Sequence, residues 1–242
     1  MLAGTAVGSK APGALEAGFR RMGLRPETVA GAADGTPRFR LHLGVLRVLV
    51  GRADAARLAL ADPAAAATSR IGAAPPAGWR EASWFFEPEA ADAAASHEFL
   101  TMMVLLIDLF GADHLFWSPA RLWSDARAFR EALAEMRASG MPPVLHLVAF
   151  RRRGGDEGEA VATRGLAAFA GQELEAPVPP GWDMAAMVRR LARIAIDLIL
   201  NGPIAWAQEV PGLASGEWVA MTPQAGRGGG PDRVLVAFRG DG

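Results

Sequence analysis

A chain of 242 residues with 51% hydrophobic and 21% charged residues is long enough to bury a substantial core, and it reads as globular. Its 25 basic and 26 acidic residues leave a formal net charge of -1, which excludes a global field for gathering nucleic acid or an anionic membrane. The absence of cysteine excludes disulfides, thiolate metal sites and cysteine nucleophiles, and the absence of tyrosine removes phenolic acids from any mechanism.

Lys10 is the only lysine, while Ala, Gly, Pro and Arg abound, a bias that points to a GC-rich genome. Residues 1–13 carry no apolar signal-peptide core. The longest apolar run, 99–110, is interrupted by Thr101 and Asp108 and falls short of the ~20 residues a membrane span requires. A cytoplasmic location is the expectation.

In chain order, Leu15, Phe19 and Met22 at helical spacing predict a helix over 12–22 that stops at Gly23. Phe39, Leu41 and Leu43 alternate with polar residues, Gly44 allows a turn, and 45–50 is β-branched and apolar, which together predict a hairpin with His42 on its outer face. Residues 53–60 suit a turn or two of helix. The Ala-rich stretch 61–78, broken by Pro63, Pro75 and Pro76, reads as a mobile connection.

Trp84, Phe85 and Phe86 mark a strand ended at Pro88. Residues 90–110 read as a central helix, apolar nearly all round after Phe99, in which Asp108 is a buried carboxylate needing a partner and His97 lies at the surface. His114 to Trp117 form a short strand. Ser118-Pro119 then reads as a helix opening, with Leu122, Phe129, Leu133 and Met136 as the apolar stripe and Gly140 as the stop.

Residues 143–150 read as an apolar strand bearing His146, followed by Arg151, Arg152 and Arg153 and an exposed, self-neutralising loop at 154–157. Phosphate binding there would need further donors converging on one point. Residues 160–163 end a strand, Gly165 allows a sharp turn, and Leu166 and Phe169 fit a single helical turn. Pro177, Pro179 and Pro180 make a rigid connector, and Asp183 caps an amphipathic helix with Met187, Leu191, Ile194 and Leu198 inward and Arg189, Arg190 and Arg193 opposite. Strands at 217–221 and 233–238, joined by a glycine-rich hairpin, close the chain. That glycine stretch follows no strand-to-helix turn and so fails as a phosphate loop.

The most specific text is Thr163-Arg164-Gly165-Leu166-Ala167-Ala168-Phe169 followed by Glu173-Leu174-Glu175. Extended, Glu173 and Glu175 share one face roughly 7 Å apart while Leu174 points inward. Carboxylates so placed can share a metal or divide acid and base roles, or they can simply pair with arginines on a solvated face. The order Thr-x-Gly-Leu-x-x-Phe, Glu-Leu-Glu, then a Trp-Asp-led helix, preceded by Leu115-Phe116-Trp117-Ser118-Pro119 and Pro142-Pro143, resembles the bacterial domain-of-unknown-function family 4261 over residues 95–222. Ala170 stands where that family commonly has glycine. The resemblance implies that Thr163, Gly165, Phe169, Glu173 and Glu175 are a family signature. It implies no chemistry, because the family is uncharacterised.

Helices set between strands, with hairpins at both ends, predict an α+β fold: a mixed or mostly antiparallel sheet with helices packed on it. One domain over 1–242 is expected, the alternative being an N-terminal subdomain 1–60 joined by the connection 61–78. No cofactor fingerprint, metal-ligand array or nucleophile motif appears, so no cofactor or metal is assigned. The expected function is a non-catalytic interaction protein with a protein partner or self-association, through an apolar patch around Trp117, Trp123 or Trp206. No nucleic acid or membrane is expected as partner. The alternative is a small-molecule- or metal-binding enzyme using Glu173 and Glu175, supported by Thr163, His114, Trp117 or His146.

Overall fold

A computed structural model describes residues 1–4, 11–29, 38–72, 74–90, 96–155, 158–226 and 228–240. The α+β architecture is as expected, with two mixed sheets in place of one. The chain packs as two compact units, Met1–Gly140 and Met141–Gly242. Residues 61–78 lie inside the first.

The first unit contains β1 (Leu2–Ala3), α1 (Pro12–Arg21), β2 (Arg25–Val29), β3 (Arg38–Leu43), β4 (Leu46–Arg52), α2 (Ala55–Leu60), β5 (Ser69–Ile71), β6 (Trp84–Pro88), α3 (His97–Phe110), β7 (His114–Trp117), β8 (Leu122–Asp125) and α4 (Ala126–Ser139). Its eight-stranded sheet runs β2-β3-β4-β6-β1-β7-β8-β5, antiparallel throughout except for the β5–β8 pair. The expected hairpin pairs Leu43 with Leu46 and Phe39 with Val50. Helix α3 is the core helix its composition predicts. Phe99 and Phe110 are buried against Phe86, Trp117, Trp84 and Phe19. Gly18 lets α1 approach it, since a Cβ there would lie 2.3 Å from Leu109.

Three expectations in this unit are corrected, and a fourth lies partly outside the described residues. The connection 61–78 is built in part from hydrogen-bonded turns and a strand: Thr68 N–H donates to Ala65 C=O, β5 pairs with β8, and Ala61 is buried, accepting from Trp123 Nε1 at 2.7 Å. Ser118-Pro119 opens a turn and not a helix; Leu122 and Trp123 belong to β8, and α4 begins only where Asp125 accepts from Ala128 N–H. Asp108 is exposed and pairs with Arg130 at 2.5 Å, since its position on α3 lies off the buried stripe. The described part of α3 starts at His97, capped by Ser96; the expected helix at 91–95 lies outside the described residues.

The second unit contains α5 (Val144–Leu147), β9 (Ala149–Gly155), β10 (Gly158–Arg164), α6 (Ala167–Ala170), β11 (Gln172–Pro177), α7 (Met184–Asn201), β12 (Gln208–Pro211), β13 (Glu217–Gln224) and β14 (Asp232–Gly240). The six-stranded sheet is ordered β12-β13-β14-β11-β10-β9, with β11 and β14 parallel and the rest antiparallel. The apolar run at 143–150 is corrected: Val144–Leu147 is one helical turn, burying Val144 and Leu147 while Leu145 is exposed, and the strand begins at Ala149. Short apolar runs do not distinguish strand from helix by period, and Pro143 supplies a start that needs no N–H. Asp156 and Glu157 of the expected loop lie outside the described residues.

Helix α7 is capped by Asp183, which accepts from Ala186 N–H at 2.7 Å, and buries Met187, Leu191, Ile194, Ala195 and Leu198. Its N-terminal end lies over the end of β14, where Trp182 stacks on Phe238 at 5.2 Å. Beyond its C-terminal end, Gln172 exchanges two hydrogen bonds of 2.9 Å with the Ile204 backbone. The helix therefore runs along the sheet, antiparallel to β11 and β14. Among the described residues no helix is long and apolar enough to cross a membrane.

Candidate functional site

The segment from Thr163 to Glu175 folds as its spacing predicts. Thr163 is the next-to-last residue of β10, Gly165 turns the chain at φ 94°, α6 is the single turn, Gly171 stops it at φ 72°, and β11 carries Glu173 and Glu175 on either side of buried Leu174. Thr163 is 4% exposed. Its hydroxyl donates to Glu173 Oε2 at 2.7 Å and accepts from Leu174 N–H at 2.7 Å.

Glu173 also accepts from the turn itself. Gly165 N–H lies at 2.7 Å and Ala167 N–H at 3.2 Å from Oε1, and Leu166 N–H at 3.3 Å from Oε2. Successive N–H groups in a tight turn form a concavity suited to an anion, and here the chain fills it with its own carboxylate. Glu175 has a different partner, Arg233 on parallel strand β14, at 3.0 Å with both side chains half-buried. Among the described residues no group of three or more His, Asp or Glu is arranged to hold a metal.

The structure therefore brings Thr163, Gly165 and Glu173 together, with half-buried Phe169 one turn away on α6. His146 is half-buried on α5 of the same unit. His114 and Trp117 belong to the first unit, on β7, and both are buried. His114 meets Trp123 edge-on at 6.5 Å, and among the described residues neither of its ring nitrogens has a hydrogen-bond partner. Of the tryptophans expected to form a patch, Trp117 and Trp123 are buried and only Trp206, 72% exposed, lies on the surface.

A second feature of the 141–242 unit was not anticipated. An open-sided trough of about 930 Å³ runs between α7 and edge strand β12. Its floor is Val219, Met221 and Phe238, its far wall Gln208 and Val210, and its rim includes exposed Met141, Leu200 and Leu213. Arg190, expected on the wet face of α7, is half-buried instead. Its Nε and Nη2 donate to the two oxygens of Glu217, each at 2.8 Å, and its guanidinium lies 4.0 Å from the Trp182 ring centroid.

Glu217, 6% exposed, also accepts from Ala214 N–H at 3.2 Å, closing the β12–β13 loop. The Arg190 hydrogen bonds hold its carboxyl below the ordinary range against the opposing effect of burial, and raise the guanidinium in turn. Arg189 and Arg193 line the same trough, exposed and without a carboxylate partner among the described residues, while Asp197, still charged, accepts from Asn201. The only sign of this in the sequence was the arginine row on α7.

No family model, curated protein or solved structure matches the chain.

Proposed function

We propose that the chain is a non-catalytic interaction protein of the bacterial cytoplasm, acting by contact with another protein or its own copies through the surface of residues 141–242. One observation carries this reading: Met141, Leu145, Leu200, Trp206, Leu213 and Trp218 are all exposed large apolar side chains, whereas Val45 is the only one among the described residues of the first unit. Exposed large apolar side chains gathered in one unit favour contact through that unit, since contiguous apolar surface marks interaction sites. The single lysine among 25 basic residues supports a GC-rich bacterial genome, and the motif order over 95–222 supports a place in the domain-of-unknown-function family 4261.

The enzyme reading needs Glu173 and Glu175 free to meet a common ligand. Glu173 is filled by four protein donors and Glu175 is paired, so their geometry favours a structural role.

The test compares the wild-type chain with a Leu200→Ser, Trp206→Ser, Leu213→Ser variant in light scattering and in affinity capture from lysate of the source cell. A stoichiometric complex, with itself or with another protein, forms with the wild type and is lost in a variant of unchanged melting temperature. The reading fails if the wild type forms no complex while a metabolite or metal raises its melting temperature and Glu173→Gln or Glu175→Gln abolishes that rise.

A further inference from the structure

Among the described residues the sheets end in four edge strands, β2 and β5 in the first unit and β9 and β12 in the second. An open edge offers unpaired N–H and C=O groups to another strand, and proteins blunt it with proline or by keeping it short. β2 carries Pro26, β12 carries Pro211, and β5 has three residues. β9 has seven residues and no proline.

The register fixes which groups of β9 face outward. Val178 N–H donates to Glu159 C=O at 2.8 Å, so Glu159 turns its backbone toward the β11 side of β10. Backbone groups alternate sides along an antiparallel strand, and Ala160, Ala162 and Arg164 therefore bond to their partners Arg153, Arg151 and Ala149. Phe150, Arg152 and Gly154 are left with N–H and C=O pointing away from the sheet, and among the described residues no backbone group bonds to them. Arg152 and Gly154 are exposed and Phe150 is half-buried.

The three arginines select what can pair there. Side chains alternate across a strand, so Arg152 points to the opposite face from Arg151 and Arg153, and the three do not converge on one phosphate. A neighbouring strand alternates in the same way and meets all three. Arg153 is exposed, and Arg152 lies 3.6 Å from Glu159 with both side chains exposed. Asp156 and Glu157, outside the described residues, belong to the connection after Gly155, at the end of β9 away from Phe150. A second copy paired with β9 about a twofold axis at Arg152 sets Arg152 against Arg152 and Arg151 against Arg153, and like charges directly opposite are destabilising. The edge is closed to its own copies and suited to a strand bearing carboxylates, with cross-strand Cβ atoms about 5 Å apart.

We infer that the open edge of β9 receives an acidic extended segment of another protein, which adds a strand to the sheet through the backbone of Phe150, Arg152 and Gly154 and sets carboxylates beside Arg151, Arg152 and Arg153. This rests on the interaction-protein reading and adds the chemistry of the partner.

The test reads amide hydrogen exchange by NMR in the full chain with three short peptides. One has a central Glu-Glu-Glu between Val and Thr residues, the second has Lys-Lys-Lys in its place, and the third is the Glu peptide N-methylated along its backbone, which keeps the charges and removes the donors. The Glu peptide slows exchange at Phe150, Arg152 and Gly154 at least tenfold and leaves Arg151 and Arg153, already bonded within the sheet, unchanged. The other two peptides give no protection, and Arg152→Glu with Arg153→Glu transfers the protection from the Glu peptide to the Lys peptide.

Equal protection by the Glu and Lys peptides overturns the acidic partner. Protection by the N-methylated peptide as strong as by its parent reduces the contact to charge attraction and overturns strand pairing. Protection that rises with protein concentration in the absence of peptide assigns the edge to a second copy instead. If no peptide slows those three amides, β9 is an edge that its arginines keep unpaired and the proposal falls. The complex read by the Leu200, Trp206 and Leu213 variant stands or falls separately, since none of those residues lies on β9.

Discussion

The two units solve the same problem, a sheet to be covered, with different side chains. All twelve aromatic residues of Met1–Gly140 are buried, and none of the six in Met141–Gly242 is. The second unit buries Val, Leu, Ile, Met and Ala instead, and it orders its segments with polar clamps. Among the described residues its three buried polar side chains, Thr163, Gln172 and Glu217, each join two segments, whereas His114 and Ser124 in the first unit have side-chain atoms with no partner. Non-directional burial can hold a unit without fixing each contact. Where the core is aliphatic, directional hydrogen bonds fix the register, and the large aromatic side chains remain at the surface.

The sharpest way to break this contrast is to truncate one tryptophan from each unit. Trp123, fully buried, touches Trp79 and Phe116 and donates to Ala61 C=O. Trp123→Ala removes that packing and costs about 3–5 kcal/mol in urea unfolding. Trp206→Ala, at a site 72% exposed, changes stability by less than about 0.5 kcal/mol. Comparable losses at the two sites mean that the aromatics of the second unit are structural after all, and the case for an interaction surface there weakens with them.

The clamp at Glu217 gives the second test, through pH. Its folded carboxyl titrates below its unfolded value because Arg190 hydrogen-bonds the ionised form. In that window the unfolded state binds the proton and the folded state does not, so this contribution is complete above about pH 4.5 and is lost as pH falls through the folded value. Glu217→Gln leaves Arg190 half-buried without its counter-charge and costs about 3 kcal/mol at pH 7. The gap between wild type and variant, read from hydrogen exchange in α7 and β13, narrows as pH drops from 5 toward 3. A gap that persists at pH 3 assigns the loss to packing and not to charge.

What was legible in the sequence follows from the range over which each element is determined. Helices α1, α3 and α7 carry their periodicity and stops within their own residues, as do the β3–β4 hairpin and the turn from Thr163 to Gly171. Elements fixed by distant neighbours were not legible. β8 merges into the apolar stripe of α4, so Leu122 and Trp123 read as helix. β5 and β12 are short and become strands only by pairing with β8 and β13. The trough could not be seen because its wall is β12, and Arg190 read as a wet residue because its partner Glu217 lies 27 positions away. In the segment from Thr163 to Glu175, spacing placed both carboxylates on one face, but not the partner of either. Glu175 finds Arg233 across 58 positions, while Glu173 turns back on its own loop.

That difference within one Glu-Leu-Glu triplet makes the finest test of the contrast between units. Glu173→Ala leaves Gly165, Leu166 and Ala167 N–H groups and the Thr163 hydroxyl without their acceptor at a half-buried site, a loss of about 2 kcal/mol. Glu175→Ala removes one partly exposed ion pair and costs at most about 1 kcal/mol. Formate is small enough to replace the missing carboxylate among the turn's N–H groups, so it raises the stability of Glu173→Ala and leaves Glu175→Ala unchanged. Equal losses, or equal rescue, mean that the turn does not depend on its internal anion. The two carboxylates are then equivalent surface charges, and the geometry of the turn comes from Gly165 and Thr163 alone.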